Sequence, residues 1–459
     1  CRRGCTCALP DRAATHAYSR RGGTRYHADP RRTDRHRDIA MNCNYRLVWN
    51  ALSGTQVPAP ETARGRGKSG VRSQALRLGA LGVYAAGVTL GSAALAAGPV
   101  PPQAGAKPAG GSTLDVNALP SGGKVLGATS TINQSGNTLT VNQSASRSII
   151  NWDSYNIGSQ ASVVYVQPGA DAVSLNRVVG NEASQIYGRL EANGQVFLIN
   201  GNGVLFGKGA QVNVNGLLAS TLDLDDADFG AGRLRFSGHG GSVRNDGQLT
   251  ADDGGYIALL GGQVDNRGLI TARLGSVLLG AGDAATLDFN GDGLLSVALD
   301  AGTTHALVDN SGSLSADGGR VQLSARAADR VMASLVNNSG HVEARGLVVR
   351  NGVIELTGDI VDNGGVIAAN GAQGGEVNVH ATSILQHGVI QADGSVGAGG
   401  TVALHATQAL LQTASGHISA DGASVGGEVL LDGGGLAYLS GQVSADGASG
   451  GHLVASATT

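Results

Sequence analysis

Apolar residues in this chain come in short runs that are cut every few positions by glycine or by Asn-Gly. Residues 176–221, NRVVGNEASQIYGRLEANGQVFLINGNGVLFGKGAQVNVNGLLAST, carry the pattern most densely. Breaks that tolerate positive φ at this spacing exclude a helix and long flat strands, so the stretch predicts strand, corner, strand, corner. In the run Val196, Phe197, Leu198, Ile199 the two-residue period of a strand puts Phe197 and Ile199 on the opposite face from Val196 and Leu198, and Asn200 turns the corner that follows. Upstream, residues 128–168 alternate over shorter runs and predict hairpins and an N-terminal cap, with ordered structure starting near Lys124. Trp152 is expected to plug the open end of the core.

Downstream the pattern repeats. Val243-Arg-Asn245-Asp-Gly247, Val264-Asp-Asn266-Arg-Gly268, Val308-Asp-Asn310-Ser-Gly312, Val336-Asn-Asn338-Ser-Gly340 and Val361-Asp-Asn363-Gly-Gly365 are variants of one corner. With a degenerate copy over residues 287–293 filling the widest gap, the intervals are about 21 to 28 residues, the range of solenoids in which no repeat buries its apolar face alone. Three short strands per turn predict an all-β fold, a right-handed parallel β-helix. About 360 residues at ~22 per coil and ~4.8 Å of rise give roughly 15 coils and a rod of about 75 Å. In that register Asn245, Asn266, Asn310, Asn338 and Asn363 stack at one corner with their amides paired along the axis. His380 and His405, in the contexts Val-His-Ala-Thr and Leu-His-Ala-Thr, are expected to stack as neutral rings on a solvated face rather than as a metal pair. Gln322 is expected to point outward and to tolerate substitution.

Composition narrows the core. Aromatics are 3% of 459 residues and glycines number 74, so small aliphatic side chains must fill it, which suits thin repeated layers better than a globule. The formal charge of -3 hides an asymmetry: 16 of the 32 Lys and Arg precede Leu78, with 5 of the 35 acids, leaving 16 basic and 30 acidic residues and a net of -14 in the body. An acidic body without clustered Lys and Arg excludes nucleic acid as its partner. Cys1, Cys5, Cys7 and Cys43, the four cysteines, all lie in the basic leader. The body therefore carries no disulfide, which suits a chain that crosses an oxidising compartment before it folds.

Residues 1–40 are Arg-rich, apolar-poor and begin without methionine. They predict upstream sequence read in frame, with translation starting at Met41, or else a disordered basic tail. Behind Arg64, Arg66, Lys68, Arg72 and Arg77 runs an uncharged stretch, residues 78–97, diluted by four glycines and closed by Ala94-Leu95-Ala96. This predicts a cleaved Sec signal, with the mature chain starting at Ala97, rather than a retained anchor. Residues 97–123, with Pro99, Pro101, Pro102, Pro108 and Pro120, are expected to be a flexible mature N-terminus.

Two segments resemble one family. From Met41 the run MNCNYRLVWNALSGTQVPAPETARGRGKSG is similar to the extended signal-peptide region of very large Gram-negative secreted proteins. Trp49 and the Arg/Lys group keep the family's spacing, and Cys43 stands where a basic residue is usual. Gly194, Val196, Phe197, Leu198, Ile199, Asn200, Asn202 and Gly203 resemble the Gly-x-Val-Phe-Leu-Ile-Asn-Pro-Asn-Gly landmark of the secretion domain of filamentous-haemagglutinin-type adhesins. Asn176 and Arg177, which open the same stretch, complete the expected secretion motif, and Ile150-Asn151-Trp152 matches the family's Ile-Asn-Trp segment. Gly201 stands where the family has proline, which loosens that corner. The resemblance implies an extended signal peptide over 41–96, a two-partner secretion domain over 124–345 and filament repeats over 346–459. It also implies an outer-membrane two-partner secretion transporter and the Sec translocon as partners, a place in the medium or on the Gram-negative cell surface, and a host receptor or glycan that the residues do not identify.

Chemistry is sparse. The sequence has no Gly-x-Ser-x-Gly, no His-Glu-x-x-His and no Walker loop. Gly201-Asn202-Gly203 is a corner rather than a phosphate cradle, because no helix follows it. Asp288, Asn290, Asp292 and Gly293 fit the first, third, fifth and sixth places of a calcium loop, but Leu299 occupies the twelfth, where a bidentate glutamate is needed. A plain Asn-Gly turn is expected there. Asn133, Asn142 and Asn337 head glycosylation sequons of the kind chance produces in an Asn- and Ser-rich chain. No catalytic residue, cofactor or metal ligand is expected, and the chain is taken as a non-enzymatic adhesin. The alternatives are the stalk of a contact-dependent toxin, which shares this N-terminus, and a β-helical polysaccharide-active enzyme, which needs Asp clustered with Arg or Lys along one face.

N-terminal sequencing of the secreted protein is expected to start near Ala97, past all four cysteines. Secreted material that still carries Trp49 would overturn cleavage at Ala94-Leu95-Ala96.

Overall fold

The computed structural model describes residues 45–50, 55–60 and 114–457, apart from 240, 290–292, 330–331 and 348–349. Segment 1–40, the cleavage residues Ala94, Ala96 and Ala97, and most of the mature N-terminus lie outside the described residues. In the leader, Tyr45–Asn50 and Thr55–Pro60 pair as an antiparallel hairpin, Tyr45 opposite Pro60.

The body is a parallel β-solenoid of about 12 turns, nearly all β-structure. Each full turn gives one strand to each of three faces. On the first face, Ser162–Val166 begins a ladder that reaches Gln442–Ser444. On the second it runs from Arg147–Trp152 to His452–Ser456, and on the third from Ser184–Ile186 to Leu436–Leu439. Inward residues stack as columns: Val163, Leu190, Val212, Leu249, Ile270 and Leu314 face one another in register and are fully buried. A single coil leaves such a column open above and below, so stacking at ~4.8 Å is what removes it from water.

The first coil has no predecessor, and a cap replaces it. Ser130–Ser135 pairs antiparallel with Thr138–Gln143, Lys124–Leu126 pairs antiparallel with Arg147–Trp152, and Leu119, Val125 and Ile132 pack on the first coil. Trp152 is buried with its ring edge-on to Tyr155, centroids 5.6 Å apart, and closes the core end as its position predicts.

A second, four-stranded antiparallel sheet lies over the second face: Asp223–Leu224, Leu234–Ser237, Ala284–Phe289 and Leu295–Ala301. Its Leu224, Phe236, Leu287 and Leu295 pack with Phe229 on the outward side chains Leu175, Phe197, Ile199, Leu218, Leu260 and Leu278. Strands buried on both sides read as continuous apolar runs, here QVFLI and SVLLGA, whereas past the covering sheet the same face alternates as EVNVH and TVALH.

This sheet corrects two expectations. The described part of the expected degenerate coil, Leu287 to Phe289, is no coil strand but belongs to an antiparallel excursion: Asn266 Nδ2 donates to Asn310 Oδ1 at 2.8 Å across a 44-residue gap, so no coil lies between them. Residues spent on the covering sheet do not lengthen the solenoid, which is why it has about 12 turns rather than 15. Gln322 is not a neutral outward position either. Its Oε1 accepts from the Val297 amide and its Nε2 donates to the Val297 carbonyl, both at 2.9 Å, fastening the excursion to the solenoid.

The asparagine ladder forms as the register predicts and continues one step further. Asn245, Asn266, Asn310, Asn338 and Asn363 are buried, each Nδ2 donating 2.8 Å to the next oxygen, with Gln386 accepting from Asn363. Asn310→Ala leaves the Asn266 amide and the Asn338 carbonyl without their ladder partners, at about 1–3 kcal/mol for each group. A lowered denaturation midpoint is the expected result, and an unchanged midpoint would show that the ladder contributes no stability.

Candidate functional site: the secretion motif

The landmark strand, Gln195–Ile199, lies on the second face between Val173–Val178 and the second half of Gln211–Ser220. This register sets Leu198 beside Asn176 and Ile199 beside Arg177, so two motif segments separated in sequence become neighbours. Val196 and Leu198 point into the solenoid core, and Phe197 and Ile199 lie under the covering sheet. The two faces alternate as the strand period predicts, and both are buried.

Asn176 faces inward as the hub of a buried polar cluster. Its Oδ1 accepts from Trp152 Nε1 at 3.0 Å and from the Tyr165 hydroxyl at 2.8 Å, and its Nδ2 donates to the Ser174 carbonyl at 3.1 Å. With the Tyr165 proton committed to Asn176, the Tyr155 hydroxyl donates to Tyr165 at 3.0 Å. Burial pushes both tyrosines well above their ordinary range and keeps them neutral donors.

Arg177 faces outward and holds the covering segment. Its Nε and Nη1 contact Asp223 and Asp226, each at 2.8 Å, and Nη2 donates to the Leu224 carbonyl at 2.6 Å. Burial works against this charge, but the hydrogen bonds and charges of Asp223 and Asp226 outweigh it and raise the guanidinium further. Asp226 opens a one-turn helix, Asp226–Gly230, whose N-cap Asp225 accepts from the amides of Ala227 and Asp228. The helix buries Phe229 against Phe197, ring centres 6.2 Å apart, and the Arg147 guanidinium sits over the Phe229 ring, 5.1 Å from its centre.

At the corner, Asn200 is fully buried. Its Nδ2 donates to the Glu182 carbonyl at 2.9 Å and to Ser184 Oγ at 3.0 Å, and its Oδ1 accepts from the Asn202 amide at 3.0 Å. Asn202 Nδ2 reaches the Gly180 carbonyl at 3.0 Å, and the Gly203 amide donates to the Asn200 carbonyl at 3.0 Å. Side chains from two turns thus pin the corner, whatever freedom Gly201 adds. Gly203 takes φ +120°, where a side chain is strained, while a Cβ on Gly194 would collide with Gln167 and the Ala172 carbonyl.

Every polar motif side chain is committed to a structural hydrogen bond. Among the described residues no group of three or more His, Cys, Asp or Glu is placed to hold a metal. Asn290 and Asp292 lie outside the described residues. Of the sequons, Asn133 and Asn142 are exposed on the cap hairpin, and Asn337 donates to Asp309 at 2.6 Å. Sequence reasoning missed Tyr155, Tyr165, Asp223 and Asp226 as partners of the motif. The acidic run 223–228 was the one available signal, facing an arginine in an acidic body.

Residues 117–379 match the TPS secretion domain, and residues 41–90 match the Extended Signal Peptide of Type V secretion system. The chain belongs to the TPS secretion domain family. It is a two-partner secretion exoprotein, sent by a Gram-negative bacterium to its surface or the medium. The crystal structure of the HMW1 secretion domain from Haemophilus influenzae superposes with a TM-score of 0.65 at 28% identity, covering 73% of this chain and 94% of that one. Two proteins of Haemophilus influenzae, each called heme/hemopexin-binding protein, are 34% identical over 255 and 263 residues. The match takes in 52% of this chain but only 27% and 28% of theirs, so it spans about a quarter of the relatives' length.

Gly201 has room for a side chain. Its φ lies outside the left-handed region, and a Cβ there would approach nothing closer than the Thr221 carbonyl at 3.9 Å. Gly201→Pro is therefore expected to stabilise the domain by ~0.4–1 kcal/mol through the unfolded state. Chemical denaturation measures this, and a loss of stability would show that the corner needs glycine.

Proposed function

We propose that this chain is the export region and first filament coils of a secreted adhesin of the filamentous haemagglutinin type, taken through the Sec translocon and then a dedicated outer-membrane transporter. The observation that carries the proposal is the presence in one chain of the extended signal peptide and the secretion domain, with solenoid coils continuing past residue 379. In the transporter, strands of the unfolded domain add to a sheet edge, a mode that reads backbone and alternate side chains together. Outside, each coil stacks on the one before it, and burial of the aliphatic columns biases transport forward. A long solenoid with a polar outer face suits display of a receptor- or glycan-binding surface better than catalysis. Binding of heme or hemopexin is the second reading, favoured by the two relatives. Their likeness lies within a quarter of their length, so it bears on export before it bears on ligand.

The test is coexpression with the partner transporter. Leu198→Asp and Ile199→Asp each bury an unpaired charge, at several kcal/mol, and are expected to lower the secreted amount at least tenfold, whereas Gln408→Asp, at an exposed position, matches the parent. Equal secretion of all variants would remove the motif from export. Saturable binding of the secreted protein to host cells supports the adhesin, while binding of heme or hemopexin without cell binding supports the second reading.

A further inference from the structure

On the uncovered part of the second face, the outward positions of five successive coils stack in register as Thr357, His380, His405, Asp432 and Ser456. The His380 and His405 rings lie side by side, centroids 5.9 Å apart and planes tilted by 60°. Register alone predicts that stack. The structure adds a support on the next coil: His405 Nδ1 is 2.7 Å from Asp432 Oδ2, and Asp432 Oδ1 accepts from Ser456 Oγ at 2.9 Å.

This arrangement has a chemical direction. Hydrogen-bonded to a carboxylate, the His405 Nδ1 carries the proton, which leaves the Nε2 lone pair free, and a carboxylate behind one ring nitrogen is how metal-ligating imidazoles are commonly oriented. Ser456 in turn fixes the carboxylate. Two imidazoles on one tetrahedral ion, at ~2.0–2.1 Å per bond, bring their ring centres to roughly 5 Å, a small side-chain rotation from the observed 5.9 Å. Both rings stand on strands hydrogen-bonded on each side, which holds their backbones fixed. Other histidines of the solenoid lack the second ring: His341 lies between Ser313 and Val366, and His417 between Val389 and Gln442.

We propose that His380 and His405, with Asp432 orienting the second, bind one divalent transition-metal ion such as Zn2+, Ni2+ or Cu2+ on the outer surface of the solenoid. Imidazole nitrogen selects this class over Mg2+ and Ca2+, and among its members Cu2+ binds most tightly. Water fills the remaining positions, so the site is open and exchangeable rather than a closed structural centre. The inference is independent of whether the protein is an adhesin, since it rests on three side chains and their register.

The experiment titrates ZnCl2 and, separately, NiCl2 into untagged protein recovered from the medium, followed by calorimetry, with far-UV circular dichroism checking each variant's fold. One saturable ion per chain is expected. His380→Ala and His405→Ala each weaken it at least tenfold, Asp432→Asn weakens it ~10–100-fold, and His341→Ala and His417→Ala leave it unchanged. None of the five positions is buried, so the variants keep the fold. Absence of saturable binding of either ion, or binding that survives in both the His380 and His405 variants, overturns the site. A loss caused equally by His417→Ala also overturns it, since that would show diffuse surface histidine binding.

Discussion

No coil of this protein can bury its own inward side chains, and the rest of the structure follows from that. Val308 or Leu314 leaves water only because Val264 or Ile270 lies beneath it and Val336 or Val342 above it. The gain is therefore collective and depends on register. A one-residue slip would exchange every inward and outward side chain. The buried asparagines sharpen this dependence, because a coil slipped by one residue would in most corners place Arg, Asp, Ser or Gly where the neighbouring amide needs a partner. The same constraint explains the cap. The first coil needs a surface below it, and Trp152 with the cap's apolar side chains supplies one.

The covering sheet changes what the secretion motif can do. Were the second face bare, Phe197 and Ile199 would be exposed and legible to a partner. Instead they lie beneath Phe229, Phe236 and Leu224, with Arg177 clamping the cover to the solenoid. Asn176 and Asn200 are buried as well. The finished domain presents almost none of these side chains at its surface, so a transporter that reads them, as proposed above, reads them in the unfolded chain. Folding hides the motif beneath the covering sheet and inside the core.

Much of this was legible in the sequence. The Val-x-Asn-x-Gly corners gave the solenoid, its register and the asparagine ladder, because each corner repeats a residue whose amide has to be satisfied in the core. The alternation of Val196 to Ile199 gave two faces correctly, but not that both are buried. What covers it was not legible. Residues 284–299 have the same apolar runs and Asn-Gly breaks as a coil, and antiparallel pairing leaves no mark in single-strand composition, so the excursion passes for a repeat. Gln322 failed for a related reason: its partner is the backbone of Val297, and no side-chain pattern announces a backbone contact. Asn176 was picked out by resemblance alone, since nothing in its neighbourhood indicates that Trp152 and Tyr165 converge on it from other strands.

A second ladder, built mostly of aspartates, runs along another corner. Asp317 Oδ1 accepts from the Arg345 amide, Asn370 Oδ1 from Asp393, Asp393 Oδ1 from Asp421, and Asp421 Oδ1 from Asp446, at 2.7 to 3.1 Å. In each case the acceptor belongs to the earlier coil and the donor to the later one. The asparagine ladder is equally one-directional, with each amide donating toward the C-terminus. A completed coil therefore offers the next one aligned hydrogen-bonding groups as well as an apolar floor, and aligned hydrogen bonds polarise one another. Coil-by-coil stacking outside the cell, as proposed above, would use each earlier coil as the template for the next. Parallel β-structure is otherwise slow to form, because its contacts are distant in sequence. Here each contact is only one coil away, and the ladders specify its register.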